Sequence, residues 1–117
     1  MSIKEYQQDL SAFVKERGWS EFQNPVNLTL ALVGEVGELT EMIQWKSPEE
    51  ARAKMEDENF RQQFSHEIAD ILNYLLRLSD CCGIDIMHAA REKLALNIAK
   101  YPADKVYGKA VKYTEIE

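Results

Sequence analysis

The sequence is poor in residues that interrupt helices, and it has few cysteines and no long apolar run. Only 3 of its 117 residues are proline and 5 are glycine, so long helices can form between few breaks. Its 2 cysteines, Cys81 and Cys82, are adjacent, which excludes an ordinary structural disulfide between them and fits a reducing compartment. The N-terminus lacks the apolar core of a signal peptide, and no stretch reaches membrane-span length. We therefore expect a cytoplasmic protein that does not contact membranes.

Basic residues are also scarce relative to acidic ones. The chain has 14 Lys and Arg residues against 20 Asp and Glu residues, a formal net charge of −6. An acidic chain without a basic cluster lacks the groups that bind nucleic-acid phosphates, so no nucleic-acid partner is expected. A small phosphorylated ligand is still possible, because a bound metal ion can supply the positive charge.

Helical periodicity dominates what is present, and no segment has a convincing strand pattern. The predicted helices run from Ile3 to Arg17, from Pro25 (after the cap Asn24) to about Gln44 or Trp45, from Pro48 to about Met55, from Phe60 to about Cys82, and from the cap Asp85 to just before Tyr101. The polar run from Glu56 to Asn59 is predicted to be a hinge. Short connections between helices favour antiparallel neighbours. The predicted fold is all-α: an antiparallel four-helix-type bundle with a short extra helix between the two acidic helices. Residues 1–117 are predicted to form one domain, of which 103–117 are a tail.

Two pairs of acids stand out because each lies inside an apolar helical run. Glu35 and Glu38 form one pair, and Glu67 and Asp70 form the other. A spacing of three residues places the members of a pair about 60° apart on one helix face. Measured from Leu28 in one helix and Phe60 in the other, the first acid of each pair falls at about −20°, inside the apolar stripe, and the second at about −80°, on its edge. A single acid could reach water from the stripe edge, but two pairs in the same phase favour a shared site.

Clustered carboxylates facing a core require a counter-charge, because burying them unpaired costs several kcal/mol each. An all-oxygen site favours Mg²⁺, with Mn²⁺ as the other choice, over zinc or copper. Neither His66 nor His88 has ligand spacing to another His or Cys, and the Glu-x-x-His motif of di-iron bundles is absent. We therefore expect the four acids to bind metal and to act through metal-bound water in hydrolysis of a phosphate ester or anhydride. Which bond breaks, and which acid is the base, stay open.

Several other residues suit nucleotide binding. Tyr74 shares a helical face with the second acid pair, and Asn97 shares a face with Lys93 in the last helix. Asn can hydrogen-bond a sugar or base, Lys can neutralise phosphate oxygens, and Trp19 and Trp45 could stack on a base. The alternatives are core packing for the aromatic residues and a solvated face for the lysine.

Taken together, these residues resemble the MazG-like all-α nucleoside triphosphate pyrophosphohydrolases, and within them the dCTP pyrophosphatase branch. The family signature, a Glu-x-x-Glu helix followed by a Glu-x-x-Asp helix, matches the four acids. The resemblance covers nearly the whole chain through these strings: Asn27-Leu28, Ala31 to Leu39, Gln44-Trp45-Lys46, Tyr74, Asn97, Tyr101-Pro102-Ala103 and Lys112 to Glu115.

The resemblance implies magnesium-dependent cleavage between the α and β phosphates of a nucleoside triphosphate such as dCTP or a modified dCTP. The products would be a nucleoside monophosphate and pyrophosphate, and the task would be cleaning of the nucleotide pool. It also implies a homotetramer or homodimer with sites completed by neighbouring chains. The implied roles are metal ligands for Glu35, Glu38, Glu67 and Asp70, a nucleoside pocket for Trp19, Trp45 and Tyr74, and sugar or phosphate contacts for Lys93, Asn97 and Tyr101.

Two positions depart from the family pattern and leave base preference open. Animal members have His at the positions of Leu10 and Gln23, and the first of these is associated with the base pocket. Two other functions are also compatible with the sequence: a nucleotide- or metal-binding regulatory module with little turnover, and a purely structural oligomerising bundle.

Overall fold

The structure, a computed structural model, describes residues 1–116, and all its regular elements within that range are helical. They are α1 (Ile3–Glu16), α2 (Pro25–Ile43), α3 (Pro48–Lys54), α4 (Glu58–Cys81), α5 (Ile86–Lys100) and α6 (Ala103–Val106), with 3-10 turns at Ser20–Phe22 and Tyr113–Glu115. The all-α prediction is thereby confirmed. Among the helices described, none is long and apolar enough to cross a membrane. The cytoplasmic location stays a prediction.

Side-chain caps fix where the five longest helices begin. In each case the cap oxygen accepts a hydrogen bond from the backbone N–H three residues later, which satisfies a donor that the helix itself leaves free. The caps are Ser2, Asn24, Ser47, Asp57 and Asp85. Glycines in the left-handed conformation, Gly18 (φ 68°) and Gly83 (φ 67°), follow the ends of α1 and α4, as expected of helix-terminating residues.

The structure differs from the predicted boundaries at the start of α4 and in the predicted tail, and α1 ends at Glu16 rather than Arg17. Helix α4 begins at Glu58 rather than Phe60, because Asp57 Oδ2 accepts a hydrogen bond from Phe60 N at 3.3 Å. The polar run predicted to be a hinge therefore includes a helix cap. The predicted tail contains α6, which begins directly after Pro102, and a 3-10 turn; its last residue, Glu117, lies outside the described residues.

The chain divides into two compact units, of which the first spans Met1–Gly83 and contains α1 to α4. In this unit α2 packs along α4, and α1 packs on α4 as well. The core is small: Val14, Leu28 and Leu76 are buried, together with Ser79. The arrangement brings both acid-bearing helices, α2 and α4, side by side.

Hydrogen bonds between side chains attach α1 to α4. The Tyr6 hydroxyl lies 2.6 Å from Asn73 Oδ1 and donates to it, and Gln7 Nε2 donates to Asp80 Oδ1 at 2.8 Å.

The second unit begins at Ile84 and contains α5 and α6. Within it the Tyr101 and Tyr113 rings pack edge to face with their centroids 6.4 Å apart, and Lys100 Nζ lies 4.8 Å from the Tyr113 centroid. The tail thus packs against the end of α5. A single domain over residues 1–117 stays a prediction.

Candidate functional site

Three of the four predicted metal ligands form one carboxylate cluster. Glu35 and Glu38 project from α2 and Glu67 from α4, and each offers an oxygen atom within 4.8 Å of those of the others. Glu35 and Glu67 are half-buried, whereas Glu38 is exposed. The pairing of α2 with α4 therefore brings together acids that are separated by about thirty residues in sequence.

The fourth acid, Asp70, lies one turn beyond Glu67 on α4 and is exposed. It is not part of the group of three, yet its negative charge contributes to raising the pKa of both Glu35 and Glu67. Asp70 is therefore close enough to the cluster to act on it electrostatically.

Burial and mutual repulsion raise the pKa values of the two half-buried acids, Glu35 and Glu67. Burial of its carboxyl group, followed by the charge of Glu38, raises the pKa of Glu35 from an ordinary 4.5 to about 7. Burial is also the largest cause of the raised pKa of Glu67, and Glu38 is the next. Like-charged carboxylates in one site disfavour each other's ionised form. An added cation would reverse this effect.

The donor set fits a hard divalent cation. Glu35 Oε2 and Glu67 Oε2 are buried and have no hydrogen-bond partner within residues 1–116. Buried polar atoms are rarely left unpaired, because desolvation without compensation is unfavourable. Carboxylate oxygens are the ligands that Mg²⁺ and Mn²⁺ favour, so a bound cation would explain both unpaired atoms.

The cluster opens onto a wide, shallow cavity of about 540 Å³. Its lining residues come from α2 and α4 and are Glu38, Glu41, Met42, Gln63, His66 and Glu67. None of them is a lysine or arginine. An anionic ligand in this cavity would face carboxylates unless cations came with it.

A second, more enclosed cavity of about 230 Å³ lies between α1, α4 and the 3-10 turn. It contains two of the predicted nucleoside-pocket residues, Trp19 and Tyr74, and its lining includes Asp70, the fourth acid. The complete lining is Leu10, Phe13, Val14, Trp19, Gln23, Asp70, Asn73, Tyr74 and Arg77. Both positions that depart from the family pattern, Leu10 and Gln23, line this cavity.

Sequence reasoning missed Phe13, Val14, Asn73 and Arg77 as residues of the cavity. The signal for two of them was available, because Asn73 and Arg77 follow Asp70 by three and seven residues and so share its helical face. The same signal was available for Phe13 and Val14, which follow Leu10 by three and four residues on α1.

The structure does not bring Trp45 to this cavity. Trp45 follows α2, has a left-handed backbone (φ 70°) and is 91% exposed. Such a conformation is uncommon for a residue other than glycine. Its role in binding a nucleoside stays a prediction.

The remaining predicted contacts belong to the second unit. Lys93 and Asn97 lie on α5, and Tyr101 caps its C-terminus. Lys93 is exposed and Asn97 is half-buried. Their contacts with sugar or phosphate stay predictions.

Comparison with known proteins shows consistent similarity to nucleotide pyrophosphatases. The chain is 41% identical over 104 residues to dCTP pyrophosphatase 1 of Rattus norvegicus, covering 89% of this chain and 61% of that protein. For dCTP pyrophosphatase 1 of Bos taurus the identity is 42%, with 89% and 62% covered. The chain therefore spans about three fifths of the length of these relatives.

The fold has a solved counterpart in a pyrophosphatase from Archaeoglobus fulgidus. The two structures superpose with a TM-score of 0.80 at 36% sequence identity, covering 86% of this chain and 92% of the other. A family model described as MazG-like matches residues 31–116, which include all four acids. By this match over more than half of its length, the chain belongs to the MazG-like family.

Proposed function

We propose that the protein is a magnesium-dependent nucleoside triphosphate pyrophosphohydrolase, which cleaves the α–β phosphoanhydride of dCTP or a modified dCTP. One observation carries the proposal. A carboxylate cluster with two buried, unpaired oxygens lies beside a cavity that holds Trp19 and Tyr74, and Asp70 connects the two. The names of the relatives support the choice of substrate.

In this proposal Glu35, Glu38, Glu67 and Asp70 hold the metal. Bound there, Mg²⁺ would polarise the phosphates and lower the pKa of a water molecule, which is the chemistry that hydrolysis of an anhydride requires. The half-buried Glu35 and Glu67 would fix the position of the metal ion, because helix packing restrains their side chains more than those of the exposed acids. Glu38 lines the wide cavity and Asp70 lines the enclosed one. Both acids would therefore hold the metal ion on the side that faces the substrate.

In this proposal the two cavities bind different parts of the substrate. The enclosed cavity, with Trp19 and Tyr74, suits an aromatic base, because base–aromatic stacking contributes about 1–3 kcal/mol. The wide cavity beside Glu38 and Glu67 suits the phosphates. Its acidic lining makes metal a requirement for binding a triphosphate, since unscreened phosphates would be repelled.

Assembly of several copies completes the proposed enzyme. Helix α2 has two apolar faces: Leu28 is 2% exposed, whereas Val26, Leu30 and Val33, about half a turn away, are 66%, 65% and 63% exposed. A helix that is apolar on opposite sides is typically buried on both. We infer a homotetramer or homodimer in which a second copy covers this stripe. Trp45, Lys93, Asn97 and Tyr101 act on the nucleoside or its phosphates in the assembled protein.

The test is pyrophosphate release from a panel of common and 5-substituted nucleoside triphosphates, with and without Mg²⁺. We expect a monophosphate and pyrophosphate as products and no turnover in EDTA. Glu38→Gln and Asp70→Asn should each reduce kcat at least about a hundredfold, because each removes a ligand charge. Glu56→Gln removes a charge from an exposed acid outside both cavities and should leave the rate unchanged.

Each alternative function gives a different result. A regulatory module would bind nucleotide without releasing pyrophosphate, in the parent and in both variants. A structural bundle would show no rise in melting temperature with Mg²⁺, whereas a metal site stabilises the folded state through linkage. A diphosphate product would contradict the proposed bond.

A further inference from the structure

The enclosed cavity contains a glutamine with a single unused polar group. Gln23 N donates to Ser20 O at 3.1 Å, and Gln23 O accepts from Cys81 Sγ at 3.2 Å. Its side-chain Oε1 accepts from Arg77 Nε at 3.0 Å. The Nε2 group has no partner within residues 1–116 and is not among the buried unpaired atoms, so it is accessible to solvent in a residue that lines the cavity.

The orientation of this amide follows from its partner. Arginine is donor-only, so the group facing Arg77 must be the carbonyl oxygen of Gln23 rather than its NH₂. Arg77 is itself restrained: its side chain is 15% exposed, and its Nη1 lies 3.5 Å from Asp80 Oδ2. Asp80 in turn accepts from Gln7. The bond to Arg77 therefore leaves the NH₂ group of Gln23 on the side away from Arg77, where it can donate a hydrogen bond.

A second side-chain amide in the same cavity, that of Asn73, also has its oxygen hydrogen-bonded and its NH₂ group without a partner among the described residues. Asn73 Oδ1 is taken by the Tyr6 hydroxyl at 2.6 Å, and Asn73 Nδ2 has no acceptor among the described residues. The NH₂ groups of both amides are thus unused donors among the described residues. A base that enters this cavity meets two amide donors, beside the carboxylate acceptor of Asp70, and needs acceptors opposite the amides.

The geometry points to Gln23 as a specificity-determining residue that donates from Nε2 to a carbonyl oxygen of a pyrimidine base, with Arg77 as its positioning residue. This inference rests on the proposed function of the cavity as a nucleoside pocket. Cytosine, uracil and thymine all carry a carbonyl at position 2, and uracil and thymine carry another at position 4. Adenine carries no carbonyl oxygen, so it offers the Gln23 donor only ring nitrogen atoms.

The inference is tested by binding rather than turnover, which separates it from the proposed reaction. Dissociation constants for dCMP, dUMP and dAMP are measured by NMR titration of the full chain in Mg²⁺. We expect dCMP and dUMP to bind more tightly than dAMP. Equal affinity of dCMP and dUMP would identify the shared position-2 carbonyl, and tighter dUMP binding the position-4 carbonyl.

Gln23→Glu is the informative variant, because a carboxylate can keep the bond to Arg77 but has no NH₂ to donate. We expect the preference for dUMP over dAMP to fall by about tenfold, the effect of losing one such hydrogen bond and leaving its acceptor unpaired. Gln23→Met removes the donor without adding charge and should reduce the preference as well. Gln8 is exposed on α1 and lies outside the cavity. Gln8→Glu makes the same change of charge and should leave the preference for dUMP over dAMP unchanged.

Arg77→Lys tests the positioning role, since lysine keeps the charge near Asp80 but lacks the fixed Nε donor. The preference should weaken while the melting temperature stays close to that of the parent. An unchanged preference in both Gln23 variants, tighter binding of dAMP in the parent, or no binding of any monophosphate would each overturn the inference. Absence of pyrophosphate release together with the expected binding pattern would overturn only the proposed reaction.

Discussion

At the scale of single residues, four acids were expected to face a common core, and only the two inside the apolar stripes are half-buried. Glu35 and Glu67, placed inside the apolar stripes by their spacing, are half-buried, whereas Glu38 and Asp70, placed at the stripe edges, are exposed. The phase could be predicted because it depends only on the regular geometry of a helix. The raised pKa of Glu35 could not be given a magnitude from sequence, since it depends on the contact between α2 and α4.

The raised pKa of Glu35 predicts how stability varies with pH in the metal-free protein. The folded state holds this proton up to about pH 7, whereas the unfolded chain loses it near the ordinary 4.5. The stabilising contribution is therefore fully present below the lower value and is lost as pH rises through the upper one. The raised pKa of Glu67 acts in the same direction.

Urea unfolding in EDTA between about pH 5 and about pH 8 checks this prediction. We expect the free energy of unfolding to fall with increasing pH, and Glu35→Gln to flatten the slope. Glu56→Gln should leave the slope as it is. Saturating Mg²⁺ should offset the loss, since metal and proton compete for the same oxygens. A parent protein that gains stability with pH would contradict the assignment.

At the scale of elements, helix starts were predictable where a cap stood beside a clear apolar period. Asn24 and Pro25 marked the start of α2 correctly. The start of α4 was placed two residues late, because the acidic run that contains its Asp57 cap has no apolar period of its own. The bond between Gln23 and Arg77 could not be predicted, since periodicity within each element does not determine which faces of separate elements meet.

The cap of α2 gives a prediction about stability, because this helix carries two of the acids. Asn24 Oδ1 accepts from Asn27 N at 2.9 Å. Asn24→Ala should reduce the free energy of unfolding by about 1 kcal/mol, the typical effect of removing such a cap. Urea titration measures it. Asn59→Ala, an exposed asparagine in the first turn of α4, should cause no loss, and an equal loss in both would refute the capping role.

At the scale of the whole molecule, the apolar stripe of α2 matters more than the small core. Each unit is compact, yet Val26, Leu30 and Val33 remain about two-thirds exposed. Adjacent exposed apolar side chains of this kind mark interaction surfaces. The sequence predicted an assembly only through family resemblance, because apolar periodicity alone does not tell which face of a two-faced helix packs within its own chain.

Leu30→Glu is expected to reduce the molar mass of the protein in solution, because the substitution places a charge in the centre of the proposed interface. Light scattering after size exclusion measures the mass, and circular dichroism verifies that the helices persist. Gln62→Glu, on an exposed part of α4, is the matched control. A parent protein with the mass of one chain would contradict the assembly.

The two tryptophans lie in different surroundings, so the intrinsic fluorescence of the protein can report on two separate locations. Trp19 lines the enclosed cavity at 46% exposure, whereas Trp45 is 91% exposed on a left-handed turn. Replacing either indole with phenylalanine would leave an emission signal from one location only. Fluorescence of the variant that retains Trp19 would then follow occupancy of the cavity, and that of the variant that retains Trp45 would follow coverage of the turn.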